Sequence, residues 1–482
     1  MIQWFAVKPL MMQSFLYIVV VLLCFVNVSS HSLSHNVSFS PLSWDYRRFA
    51  AWDFRDVLSD LCYTSNLPSP DEKLLAKTGS KTNGLCPNGI KEDVLSAIER
   101  YILKNTSSRS KLIQDEESSQ GLHQLHLLAA DPHSGAVCLD GSPPGIYLRN
   151  GKGKGKSKWI IFFEGGAWCH DRDSCYERSS TEMGSSKYLT PFLHLEGLLS
   201  SQARYNPDFY NWNSAFVGYC DGGSFTGYRR KPLKIKGKLL YFRGRRVLDA
   251  VLDDLICRGI YNASEIILSG RSAGALSAII HADYIRKRFR RVTKASFRVL
   301  LDAGFFIDSP SWNGSRVAQS VFRQVHHLHN SSTGLNRACL HAQKHDEKWR
   351  CFFPEYSIPF VKSAFFVVNP LYDSWQIAYF HYVPCILEPK TCNTTELSLI
   401  MDFRKKTLRG LRAVLSSNRT GLFADSCFTH TQTSMNDLWT TIQVDNVTMN
   451  AAFAEWYSDD TENRFKIDKP YPSNPTCPNS DL

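Results

Sequence analysis

Glu265-Ile-Ile-Leu-Ser-Gly-Arg-Ser-Ala-Gly-Ala-Leu276 passes from an apolar run, through a serine with glycine two places before and two places after it, into helix-favouring residues. In a Gly-x-Ser-x-Gly turn between a strand and a helix, the serine is forced into a strained, exposed position. The glycines remove side chains that would collide with neighbouring backbone. A helix is predicted from Ala273 through Ala275-Leu-Ser-Ala-Ile-Ile280, so its first amides point at the reaction centre of the Ser272 oxygen. Five residues of this kind recur by chance; the strand before and the helix after give the pattern its weight.

Around this stretch, from Gly135 onward, short apolar runs ended by Gly, Asp or Asn alternate with amphipathic stretches, the pattern of an α/β fold with buried parallel strands. Lys158-Trp-Ile-Ile-Phe-Phe163 leads into Glu164-Gly-Gly-Ala-Trp168, and Ala364-Phe-Phe-Val-Val368 leads into Asn369-Pro-Leu-Tyr-Asp373. Special residues at the carboxyl ends of such strands are where sites gather. A serine hydroxyl needs a base, and the base needs an acid to fix its tautomer. In a hydrolase of this architecture the order along the chain is Ser, then Asp or Glu, then His. Ser272, Asp373 and His430 satisfy that order, and Glu164-Gly165-Gly166-Ala167 has the form of a loop that offers amides to an oxyanion together with the amide of Ala273. Rivals are Asp302, which also follows a strand; His281, about two turns along the helix and expected to face away from Ser272; and His326, His327 and His329. Those last three are expected in an exposed loop, with no Asp, Glu or Cys set at metal-ligand spacing.

Length allows one large α/β domain with additions. Residues 15–26 form an apolar run after Lys8, followed by small residues, and the run is shorter than the roughly 20 residues a membrane span needs. Residues 1–30 therefore read as a secretory signal peptide. Residues 31–127 read as a polar, partly disordered N-terminal extension with a helical stretch at 92–104 and the pair Cys62/Cys86, and residues 128–482 as the catalytic domain. Of 14 cysteines, removal of Cys24 leaves an odd number and so at least one free or intermolecular thiol. Cys169/Cys175, Cys339/Cys351 and Cys385/Cys392 are expected as short disulfide loops. Sequons at Asn36, Asn105, Asn262, Asn313, Asn330, Asn393, Asn418 and Asn446 also point to an exported, extracellular protein of the cell wall or matrix. The net charge of +11, concentrated at residues 152–158, 229–238, 243–246 and 286–291, suits an acidic polysaccharide or sulfated matrix more than nucleic acid in that compartment, although any single patch reads first as a solvated face.

The assembled motifs resemble the pectin acetylesterase family, which includes the Notum carboxylesterases. They are Gly135-Ala-Val-Cys-Leu-Asp-Gly-Ser-Pro-Pro144, Glu164-Gly-Gly-Ala-Trp-Cys169, Tyr205-Asn-Pro-Asp-Phe-Tyr-Asn-Trp-Asn213, Tyr219-Cys-Asp-Gly-Gly-Ser-Phe-Thr-Gly227, Tyr241-Phe-Arg-Gly-Arg-Arg246, Leu301-Asp-Ala-Gly-Phe-Phe306, Tyr372-Asp-Ser-Trp-Gln-Ile377 and Ser426-Cys-Phe-Thr-His430. The resemblance implies an α/β-hydrolase fold with a mostly parallel central sheet, no cofactor, a triad at Ser272, Asp373 and His430, and oxyanion donors at Gly166, Ala167 and Ala273. It departs from the family at Arg271 and Ala282, and at Lys469 and Ser473, where relatives commonly carry cysteine. Arg271 is expected to turn back and pair with a carboxylate, the alternative being a cation near the site. The activity implied is hydrolysis of O-acetyl esters on a pectin-like acidic polysaccharide, and the protein is expected to be a monomer with no stable membrane insertion. The alternatives are a Notum-like removal of a fatty acyl group from a secreted protein, and a non-catalytic glycan-binding protein on the same scaffold.

Overall fold

The structure is a computed structural model and describes residues 121–128, 135–460 and 462–478. The signal peptide, most of the extension, the stretch 92–104, the Cys62/Cys86 pair and the sequons at Asn36 and Asn105 lie outside the described residues.

Ten strands form one sheet: β1 Leu122–Leu127, β2 Gly145–Arg149, β3 Lys158–Phe163, β4 Phe192–His194, β5 Asn213–Val217, β6 Glu265–Arg271, β7 Ser296–Asp302, β8 Ala364–Val368, β9 Thr420–Ala424 and β10 Phe465–Ile467. Their spatial order is β10-β9-β8-β7-β6-β3-β5-β2-β1-β4. From β10 to β5 every neighbour pair is parallel. The remaining three strands are added antiparallel at one edge.

The apolar runs are continuous because both faces of the sheet are covered. In β3, Trp159, Ile161 and Phe163 enter one core while Ile160 and Phe162 enter the other. β8 divides in the same way, with Phe365 and Val367 on one side and Phe366 and Val368 on the other. Helix α1 (Gly244–Cys257) turns Val247, Leu248, Val251, Leu252 and Leu255 inward at helical spacing. Helix α2 (Ala273–Phe289) is buried along most of its length, α3 is Val317–His329, and α4 (Met449–Tyr457) brings Phe453 and Trp456 onto the opposite face.

Two expectations are corrected here. Leu122–Leu127, assigned from sequence to the extension, is β1, paired with β2 on one side and β4 on the other. Its leucines and histidines do not alternate in polarity, so backbone pairing rather than pattern recruits it. His326, His327 and His329 occupy the last turn of α3 instead of a loop. His329 is fully buried, edge-on to Phe242 at 4.8 Å and with Nε2 2.8 Å from the Cys169 carbonyl, and burial lowers its pKa to about 4.

The three short disulfides form as expected, and Cys138–Cys220 and Cys427–Cys477 join them across 82 and 50 residues. The six described sequon asparagines are all exposed. No helix of the described residues is long and apolar enough to cross a membrane.

Candidate active site

Because β3 and β6 to β9 run parallel, their carboxyl ends open at one end of the sheet, and the loops leaving them converge there. Ser272 stands between β6 and α2 with φ at 54°, in the left-handed region that costs a non-glycine residue on the order of 1–3 kcal/mol. Its amide donates to the Asp302 carbonyl at 2.8 Å, and its carbonyl accepts from Leu276 N at 3.0 Å, so the strained turn is held from both sides. The glycines answer a real crowding. A Cβ on Gly274 would lie 2.1 Å from the Phe163 carbonyl oxygen, and one on Gly270 2.5 Å from the Gly274 carbonyl carbon.

Ser272, His430 and Asp373 come together. His430 Nε2 is 2.8 Å from Ser272 Oγ, and His430 Nδ1 is 2.9 Å from Asp373 Oδ1. Asp373 is fully buried and accepts two more bonds from Gln376, from its backbone N–H at 3.0 Å and its Nε2 at 3.0 Å. The Asp373 and His430 loops are tied to each other by Ser374 N donating to Thr429 O and Leu371 N to Asp425 O. Trp375 stacks on the imidazole at 5.9 Å. Burial disfavours the imidazolium, but the Asp373 carboxylate, its hydrogen bond and the Asp302 charge outweigh it. His430 therefore titrates above the ordinary histidine value, with the Arg271 charge opposing the rise.

Asp302, the rival acid, does not reach the imidazole. Its carboxylate accepts from the amides of Gln432 and Thr433 and from Thr433 Oγ1, so it anchors the loop just after His430. Burial pushes its carboxyl up to about 6 against the pull of those donors. His281 faces away from Ser272, its Nε2 3.0 Å from the Ser224 carbonyl.

The loop after β3 carries Gly166 and Ala167 with φ of 132° and 52°. Among the described residues the amides of Gly166, Ala167 and Ala273 donate to no protein acceptor. Their carbonyls, by contrast, are engaged. Arg178 Nη1 donates to Gly166 O at 2.7 Å, Tyr219 Oη to Ala167 O at 2.9 Å, and Ser224 Oγ to Ala273 O at 3.1 Å. Ser224 Oγ also accepts from Trp168 Nε1 at 2.8 Å, which joins the loop to the start of α2. Arg178, Tyr219 and Ser224 are thus positioning residues that the sequence reading did not single out. Tyr219 and Ser224 were visible only as members of a motif with no assigned task.

Trp168, which follows Ala167, begins a wall of aromatic rings: Phe306 at 4.9 Å, Phe322 at 4.8 Å, Trp375 at 6.2 Å and Phe380 at 6.5 Å between ring centres. Phe306 reaches His430 at 6.4 Å. Aromatic side chains therefore line the site from the loop after β3 to the imidazole.

Arg271 departs from expectation: among the described residues no carboxylate lies within ion-pair distance of it, and its guanidinium approaches Ser434 Oγ at 3.4 Å instead.

Three comparisons bear on the family of the chain. The family model described as Pectinacetylesterase matches residues 116–478. A pectin acetylesterase of Arabidopsis thaliana is 40% identical over 358 residues, covering 71% of this chain and 90% of the relative. The palmitoleoyl-protein carboxylesterase NOTUM of Schmidtea mediterranea is 28% identical, covering 76% of this chain and 70% of the relative. Among solved structures, the Wnt deacylase Notum from Drosophila superposes with a TM-score of 0.66 at 25% identity, covering 74% of this chain and 99% of that one.

Proposed function

Since the chain belongs to the pectinacetylesterase family, we propose that it is a secreted serine carboxylesterase that removes O-acetyl groups from a pectin-like acidic polysaccharide. The observation that carries the chemistry is the contact chain from Asp373 through His430 to Ser272, at 2.9 and 2.8 Å. His430 takes the hydroxyl proton as Ser272 Oγ attacks the ester carbonyl carbon. The negative oxygen of the tetrahedral intermediate is met by the amides of Gly166, Ala167 and Ala273. Protonated His430 returns the proton to the departing sugar oxygen, leaving an acetyl-serine and a free hydroxyl. Water, deprotonated by His430, then attacks the acetyl carbonyl; collapse releases acetate and restores Ser272. Asp373 keeps the Nδ1–H tautomer and steadies the imidazolium. Extracellular placement is supported by the apolar run at 15–26, the exposed sequons and the disulfides.

The acetyl ester is favoured by the family match and the 40% identical pectin acetylesterase relative, whereas a fatty chain would need a deep apolar cavity beside Ser272. The structural likeness to Notum is the reason to keep a long-chain deacylase as the second reading. A series of nitrophenyl acetate, butyrate, octanoate and palmitate separates them. The expected result is a kcat/KM that peaks at acetate and falls steeply with length, and a peak at octanoate or beyond would sink the acetyl reading.

The pH dependence has a defined sign. Only neutral His430 can accept the Ser272 proton, so activity is lost as pH falls through the imidazole titration. Burial lowers that titration, Asp373 and Asp302 raise it and Arg271 opposes them, with the balance upward. The acid limb of kcat/KM for a neutral ester is expected above the ordinary histidine value, about 6.5. A limb in the range of an unperturbed carboxylate would assign the base to another group.

A further inference from the structure

We propose that Arg271, with Ser434, forms a carboxylate-binding position beside the nucleophile that reads the free acid group of the uronide bearing the ester; this rests on the polysaccharide esterase reading above. Arg271 immediately precedes Ser272 at the end of β6. Its aliphatic stem lies against the oxyanion loop, where a Cβ on Gly165 would come within 3.3 Å of Arg271 Cγ. Its Nη1 reaches Ser434 Oγ at 3.4 Å, on the loop that follows His430 and that Asp302 anchors. The guanidinium therefore bridges the two loops that flank Ser272, and its charge is felt both at His430 on one side and at Glu164 on the other.

Arg271 is half-buried, and a guanidinium so placed is well suited to pairing with an acid. Glu164, the protein carboxylate whose titration registers it, is buried, accepts from Tyr219 N at 3.1 Å, and lies beyond ion-pair distance. Among the described residues Arg271 thus spends one long bond on Ser434 and keeps the rest of its planar donor fork for a ligand. A carboxylate takes two parallel bonds from that fork, with Ser434 Oγ alongside as a further donor. An acetylated uronide carries its ester and its carboxylate on the same six-membered ring, so one ring can present the ester to Ser272 and the acid to a cation on the adjacent residue. The charge identifies the carbohydrate class, acidic rather than neutral, and makes Arg271 a specificity residue for the reaction.

The test compares acetylated polygalacturonate with free carboxylates against the same polymer fully methyl-esterified, for the wild-type enzyme, Arg271→Leu and Arg271→Lys, at a pH above the His430 titration. A charge-assisted pair contributes about 1.5–3 kcal/mol, so the ratio of kcat/KM on acidic over esterified polymer is expected to fall roughly 10- to 150-fold in Arg271→Leu. The loss should sit in KM, with partial recovery in Arg271→Lys, which keeps the charge without the fork. An unchanged ratio, in an enzyme that still deacetylates both polymers, overturns the Arg271 assignment and leaves the substrate reading standing. Failure of the wild type to deacetylate either polymer while it cleaves nitrophenyl acetate overturns both.

Discussion

Ser272→Ala is expected to lower kcat/KM for an acetate ester by a factor on the order of 10,000 to 1,000,000 while leaving the fold intact. The hydroxyl oxygen is the atom His430 Nε2 touches, at 2.8 Å, and nothing else on the residue is asked to react. The backbone that places it, with φ at 54°, is fixed by the bond to Asp302 O and by the close approach of Gly274 to Phe163 O, and alanine keeps both. Ser272 is mostly buried, at 8% exposure, so the stability change is the loss of one hydrogen bond, about 1 kcal/mol. Steady-state kinetics and a thermal melt on the purified variant check both halves. Turnover within tenfold of wild type removes Ser272 from the reaction.

The second large effect is Asp373→Asn, expected to reduce kcat/KM roughly 10,000-fold. The carboxylate takes three donors: Gln376 N and His430 Nδ1 on Oδ1, and Gln376 Nε2 on Oδ2. An asparagine cannot satisfy them all. With its oxygen toward His430, its NH2 confronts Gln376 Nε2, and flipping Gln376 would break its bonds to Ile307 N and Phe305 O. With its oxygen toward Gln376 Nε2, its NH2 donates to Nδ1 and forces the proton onto Nε2, where the imidazole can no longer accept from Ser272. Either way a buried donor is left facing a donor, which costs about 1–3 kcal/mol of stability besides the activity. A loss of less than tenfold in a folded variant would show that Asp373 does not orient the base.

What the sequence made legible was local. The strand, the strained serine and the helix occupy contiguous residues, and the glycines at 270 and 274 report a crowding that any reader of backbone sterics can anticipate. The order Ser272, Asp373, His430 follows from strands that end in chemically unusual residues. The disulfides at Cys169–Cys175, Cys339–Cys351 and Cys385–Cys392 follow from short spacing. What stayed hidden joins distant segments. Tyr219 and Ser224 clamp Ala167 and Ala273, and Asp302 holds the loop at Gln432 and Thr433, through bonds that no periodicity announces. Arg271 shows the same limit in reverse. A charge at the end of a strand invites the expectation of a carboxylate partner, and only the assembled loops reveal that its neighbours are Gly165 and Ser434. His329 was misplaced because three histidines in a row of polar residues suggest solvent, whereas the turn of α3 directs His329 toward Cys169 and Phe242.

A serine-reactive fluorophosphonate, followed by peptide mapping of the adduct, addresses the convergence of Ser272, His430 and Asp373 most directly, because the reagent bonds only to a hydroxyl made nucleophilic by its surroundings. A single adduct on Ser272, absent in Ser272→Ala and slowed in proportion to lost turnover in Asp373→Asn, is the expected result. An adduct on a different residue, or full esterase activity with Ser272 unlabelled, would contradict it.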